Sequence, residues 1–270
     1  MPISRTPATT AAGPVALALA VAMLALAPRA SASERYEGIA YARGTARVLY
    51  TETHWQYDRD GVGRHLVLYR CPDGKAFARK QLRESPSAMA PDFDFVDGRD
   101  GHREGVRTQD GKREAYVQEN TGAPAKARPI DVPADGVIDA GFDAAVREHW
   151  RALVGGKVAT IPFLLPSRHG FLPLQLAESS RARGATDEPV LKLRMSLARW
   201  YGFALPAVEL VYALDDRRLM EFRGIGSIRD DDGHYLDVRI VFPANRVVDE
   251  PGESGIASAR AVPLDGQCAG

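Results

Sequence analysis

Apolar and polar residues alternate with period two along much of this chain. "PVLKLRMSL" (189–197) sets Leu191, Leu193, Met195 and Leu197 on one side, with Lys192, Arg194 and Ser196 on the other. "YLDVRIVF" (235–242) sets Leu236, Val238, Ile240 and Phe242 against Tyr235, Asp237 and Arg239. This alternation predicts strands buried on one face, as in antiparallel sheets. "RRLMEFRGIGSI" (217–228) keeps the phase but puts Gly224 and Gly226 on the apolar side, which predicts a close neighbour or a bend. Further strands are expected over 36–42, 46–57, 64–71, 75–83, 102–108, 113–118, 157–164, 171–178 and 207–214.

One segment changes period. In "DAGFDAAVREHWRALVGG", Phe142, Val146, Trp150 and Leu153 recur at helical spacing, Asp139 stands where a cap is expected, and Gly155 and Gly156 end the run. "SLARWYGFALP" (196–206) reads as a short second helix or an aromatic loop. About ten strands at ~4.8 Å spacing make a sheet roughly 48 Å wide. A helix of about 15 residues is ~22 Å long and ~10 Å across, too small to cover the apolar face of such a sheet. The expected fold is therefore α+β, mainly antiparallel β: a strongly curved sheet, or half-open barrel, wrapped around one long helix.

Composition adds the compartment. The first 32 residues read as a signal peptide: Arg5, the uncharged apolar run "GPVALALAVAMLALA" (13–27), and "ASA" (30–32) as the cleavage site. Cleavage near Ala32 would leave a periplasmic chain, with an extracellular one as second choice. No later apolar run reaches spanning length. The expected organisation is a single curved-sheet domain over 33–245 and a flexible C-terminal tail over 246–270, rich in Gly, Ser, Ala and Pro. Lys+Arg and Asp+Glu both count 35, which gives no electrostatic footprint for nucleic acid. Cys71 and Cys268 are the two cysteines, so either one bond pins the tail to an early strand or both thiols are free.

Candidate chemistry is sparse. "YDRDGVGRH" (57–65) resembles a calcium loop in its spaced aspartates, yet counting from Asp58 puts Val62 at the fifth position and Tyr69 at the twelfth, so the cage is incomplete. "DDDGHY" (230–235) fails in the same way. Asp-Gly occurs eight times, mostly between expected strands, and suits hairpin turns. There is no G-x-S-x-G, no H-E-x-x-H and no Cys-x-x-Cys, so no catalytic set, metal site or cofactor is expected. "SRHGF" (167–171) reads as a polar loop. His54 and His65 are expected to face each other across the hairpin tipped by "DRDG", without a third ligand.

"LYRCPDGKAFARK" (68–80), "GFDAAVREHW" (141–150) and "EFRGIGSIRDDDGHYLDVRIVFP" (221–243) together resemble a group of exported proteobacterial proteins of unknown function. The order of strand meander, helix and second meander is also similar to the periplasmic lipoprotein carriers of the Lol system. That likeness implies a half-open antiparallel barrel sheltering acyl chains. The expectation is a non-catalytic binder of an apolar or lipid-like small molecule, lined by Phe142 and Trp150 on the helix and by Trp200, Tyr201, Phe203 and Leu205 as a flap. The alternatives are an envelope scaffold with a filled core, and a hydrolase of unrecognised type.

Overall fold

A computed structural model describes Met1 and residues 33–184, 187–198, 207–244, 248–249 and 252–268. The first meander comprises β1 (Glu34–Ala42), β2 (Val48–Arg59), β3 (Val62–Arg70), β4 (Ala76–Arg83), β5 (Asp92–Asp97), β6 (Arg103–Gln109), β7 (Lys112–Gln118) and β8 (Lys126–Pro129). Two helices follow, α1 (Phe142–Glu148) and α2 (Trp150–Val154). The second meander comprises β9 (Ala159–Leu165), β10 (Gly170–Arg183), β11 (Pro189–Leu197), β12 (Val208–Ala213), β13 (Leu219–Arg229) and β14 (Tyr235–Val241). The chain then forms β15 (Val248–Asp249) and α3 (Glu253–Ala261).

All strand pairings in the sheet are antiparallel, in the order β8-β7-β6-β5-β4-β3-β2-β1-β14-β13-β12-β11-β10-β9, with β15 added to β1. The two meanders join where β1 pairs with β14. Among the described residues β8 and β9 do not pair, so the sheet is not closed. It is bent, however. Lys80 of β4 donates to Ser227 of β13 at 2.8 Å, and Tyr235 of β14 donates to Glu104 of β6 at 3.0 Å. The first pair is five strand intervals apart, or ~24 Å across a flat sheet, well beyond the reach of a lysine side chain.

The single long helix expected from the periodicity is two short ones. The backbone leaves helical geometry at His149 (φ −86°, ψ 5°). Val146 of α1 and Trp150 and Leu153 of α2 nevertheless enter one core cluster with Leu176, Leu191, Leu193 and Leu210. The break lets both pieces follow the bent wall of β10–β12, a demand that residue spacing does not encode. Asp139 also departs from expectation. It caps nothing; it sits at φ +48° in a 3₁₀ turn, and its carboxylate accepts from Lys80 Nζ at 2.7 Å.

The segment expected as a flexible tail contains α3. Ile256 and Ala259 of this helix pack on Trp55, Leu66 and Leu68, which lie on the outer face of β2 and β3. The chain beyond α3 runs against the start of β4, where Gly266 N–H donates to Ala76 O at 2.8 Å. Cys71 and Cys268 form a disulfide across 197 residues. Two Asp-Gly pairs explain this docking. A Cβ on Gly98 would meet Leu264 O at 2.1 Å, and one on Gly266 would meet Lys75 O at 2.8 Å. Other pairs are turn residues as the composition suggests: Asp60-Gly61 and Asp110-Gly111 both have positive φ at both positions, tipping the β2–β3 and β6–β7 hairpins.

Candidate functional site

The bent sheet and the α1 region enclose a cavity of about 810 Å³. Ligand pockets commonly span roughly 300–1,000 Å³. One part is apolar, with Phe142, Phe163, Leu174, Met195, Val208 and Phe222 among its lining residues. Phe142 and Phe222 stand 6.4 Å apart between ring centres, so the start of α1 and the middle of β13 meet at this wall.

The other part is a polar ledge. Lys80 projects inward from β4 and donates to Asp139 Oδ1 and Ser227 Oγ. Glu104 lies buried on β6 and accepts the Tyr235 hydroxyl. Burial raises the Glu104 carboxyl pKa, while Lys80 and the Tyr235 hydrogen bond act in the opposite direction. Asp139 Oδ2 is buried without a partner among the described residues, which leaves an acceptor for a donor group entering the cavity.

Next to this ledge runs a chain of three side chains. Glu52 Oε2 lies 3.0 Å from His54 Nε2, and His54 Nδ1 lies 2.9 Å from His65 Nε2. The ring of His54 stacks on Tyr36, with centroids 4.4 Å apart and planes 9° from parallel. An ionised Glu52 only accepts, so His54 carries its proton on Nε2. A neutral His54 then accepts from His65 Nε2–H; a protonated one donates both ways. Burial, reinforced by His54 and then Lys80, holds the His65 pKa well below its ordinary value. His65 is therefore neutral near pH 7, and the row can relay a proton toward Glu52. Among the described residues it lacks an aligned nucleophile. Tyr36 is stacked on His54 rather than hydrogen-bonded to it, and Ser227 accepts from a Lys80 that is already committed to Asp139.

Comparison with known proteins supplies no chemistry. No family model matches the chain, and no curated protein is similar to it. Among solved structures, a β-barrel-like protein of the domain of unknown function DUF1849 from Brucella abortus is similar, with a TM-score of 0.47 and 9% identity over 82% of this chain and 98% of that one. No helix among the described residues is long and apolar enough to cross a membrane.

Of the residues singled out in the sequence, Phe142 lines the cavity. Trp150 is 7% exposed and packs edge-on against Tyr212 in the core, away from the cavity. Trp200, Tyr201, Phe203 and Leu205 lie outside the described residues. Asp230, Asp232 and His234 form an exposed cluster, but the Asp230 carboxylate is already engaged by the backbone N–H groups of Asp232 and His234 in a turn. Sequence reasoning missed Glu52, Lys80 and Glu104. Their signal was present: each is a charged residue in phase with the buried side of a strand, as Lys80 is between Ala78 and Leu82.

Proposed function

We propose that this protein is a non-catalytic binder of an apolar or lipid-like ligand, held in the cavity of a half-open barrel. The cavity itself carries the reading: about 810 Å³ with a mainly apolar wall and a confined polar ledge, a shape that suits a tail and a small polar group. A scaffold with a filled core would leave no such space. The Cys71–Cys268 bond favours an oxidising compartment and, with the N-terminal apolar run, supports a periplasmic location after cleavage near Ala32. Likeness to exported proteobacterial proteins and to Lol-type carriers agrees with this role but adds no residue to it.

The test is a titration with the apolar fluorophore N-phenyl-1-naphthylamine. Saturable fluorescence that is lost in Leu174→Arg, with the fold retained by circular dichroism, supports the reading. Absence of saturable binding, or equal binding by the variant, overturns it. One observation favours a second reading, hydrolytic chemistry: Glu52, His54 and His65 converge at the cavity. Turnover of p-nitrophenyl esters abolished by His54→Asn would establish it.

A further inference from the structure

Whole-chain neutrality conceals a segregated surface. On the face of β2–β7 opposite the cavity lies a groove of about 570 Å³, bordered by α3. The faces separate by strand alternation: Lys80 and Glu104 line the cavity, while their neighbours Gln81 and Arg103 line the groove, and His65, Leu82 and Phe93 border both. Six arginines reach it (Arg59, Arg64, Arg83, Arg103, Arg107 and Arg260) against two aspartates, Asp92 and Asp94. Both aspartates are occupied. Asp92 accepts from Arg113 and Thr108, and Asp94 from Tyr116 and Arg103.

The cationic excess centres on two residues. Tyr57, Arg64, Arg83 and Asp92 stand in one row across four adjacent strands, so Arg64 and Arg83 are direct cross-strand partners. Like charges placed this way destabilise a sheet unless something neutralises them. Arg83 has only a long contact of 3.9 Å to Asp92. Arg64 has no hydrogen-bond or ion-pair partner among the described residues, although its Nε is buried. A buried guanidinium N–H without an acceptor is costly. Arg260 approaches from α3, held by Gln81 at 3.1 Å. Nearby, burial and then Arg260 lower the pKa of Arg79, a further sign of crowded positive charge.

We propose that this groove binds an anion carrying two or more phosphoryl groups, with Arg64 and Arg83 as its floor and Arg260 as its flank. A planar carboxylate is satisfied by one guanidinium fork. Donors converging from a sheet and from a helix beside it suit tetrahedral oxyanions, and two unneutralised arginines facing each other suit more than one negative charge.

Calorimetric titration of the full chain with inorganic pyrophosphate at low ionic strength tests this, beside sedimentation with vesicles of cardiolipin, a lipid whose headgroup carries two phosphates. Saturable pyrophosphate binding assigns the phosphoryl group to a soluble anion, and vesicle binding alone assigns it to a lipid headgroup. In either case R64Q weakens binding by about tenfold or more, and R43Q, at an exposed arginine outside the groove, leaves it unchanged. R64Q retains the wild-type melting temperature or exceeds it, since Arg64 has no partner to lose and faces Arg83. Binding of neither probe overturns the proposal. So does equal binding by R64Q, or a loss of melting temperature in R64Q with binding intact, which would make Arg64 structural.

Discussion

Lys80 Nζ lies 2.8 Å from Ser227 Oγ, although their strands stand five intervals apart in the sheet. The same ammonium group binds Asp139 at 2.7 Å and is largely buried, so one side chain ties the first meander to the second and to the turn before α1. Removing it leaves a carboxylate without its cation in the interior. Lys80→Met is expected to lose about 3 kcal/mol in urea unfolding. The double variant Lys80→Met, Asp139→Leu is expected to lose less than the single one. Equal stability of Lys80→Met and wild type would mean that the contact does not hold the bend.

His65 predicts an acid limit on stability. Its folded pKa is depressed, by burial first and then by His54 and Lys80. Below the unfolded value of about 6.5 the unfolded chain takes up a proton that the folded chain refuses. The contribution is therefore complete above about pH 6.5 and is lost as pH falls through that value toward the folded pKa, at up to about 1.4 kcal/mol per pH unit. Urea midpoints between about pH 7.5 and 5.5 should fall for wild type and be flatter for His65→Gln.

Glu104 predicts the opposite slope. Burial raises its folded pKa, so the folded chain binds more protons than the unfolded one above about pH 4.5. Its cost grows as pH rises from there through the folded value. Glu104→Gln keeps an acceptor for the Tyr235 hydroxyl and removes the titration. Relative to wild type, it should gain stability in thermal melts between about pH 5 and 8.

The disulfide is expected to matter more than its place near the end of the chain suggests. It closes 197 residues, and the chain-entropy relation gives a contribution of up to about 5 kcal/mol. Cys268→Ser should lower the urea midpoint and expose Trp55, which α3 covers, as a red shift in tryptophan emission. An unchanged midpoint and emission would mean that α3 stays docked without the bond.

Much of the sheet was legible because alternation survives wherever one face is buried. The segment 189–197 is β11 in full, and 235–242 exceeds β14 by one residue. β5 was missed although Phe93 and Phe95 alternate cleanly, because Asp92 and Asp94 between them pair with arginines and Tyr116 rather than marking a loop. β8 is four exposed residues with no pattern to read. α3 was missed for a related reason: only Ile256 and Ala259 of its nine residues are buried, too few to set a period. The site was legible only where two residues share a hairpin. His54 and His65 could be placed across β2 and β3, whereas Lys80, Ser227 and Asp139 meet through the bend of the whole sheet.

Native mass spectrometry of the protein as purified from cells, before and after organic extraction, shows whether the bent sheet shelters an apolar ligand. The expected spectrum carries adducts of lipid mass on the folded chain, removed by extraction and restored by adding back the extract, and absent from Leu174→Arg. A single apoprotein mass before extraction, with no adduct formed on adding total lipid extract, would contradict it.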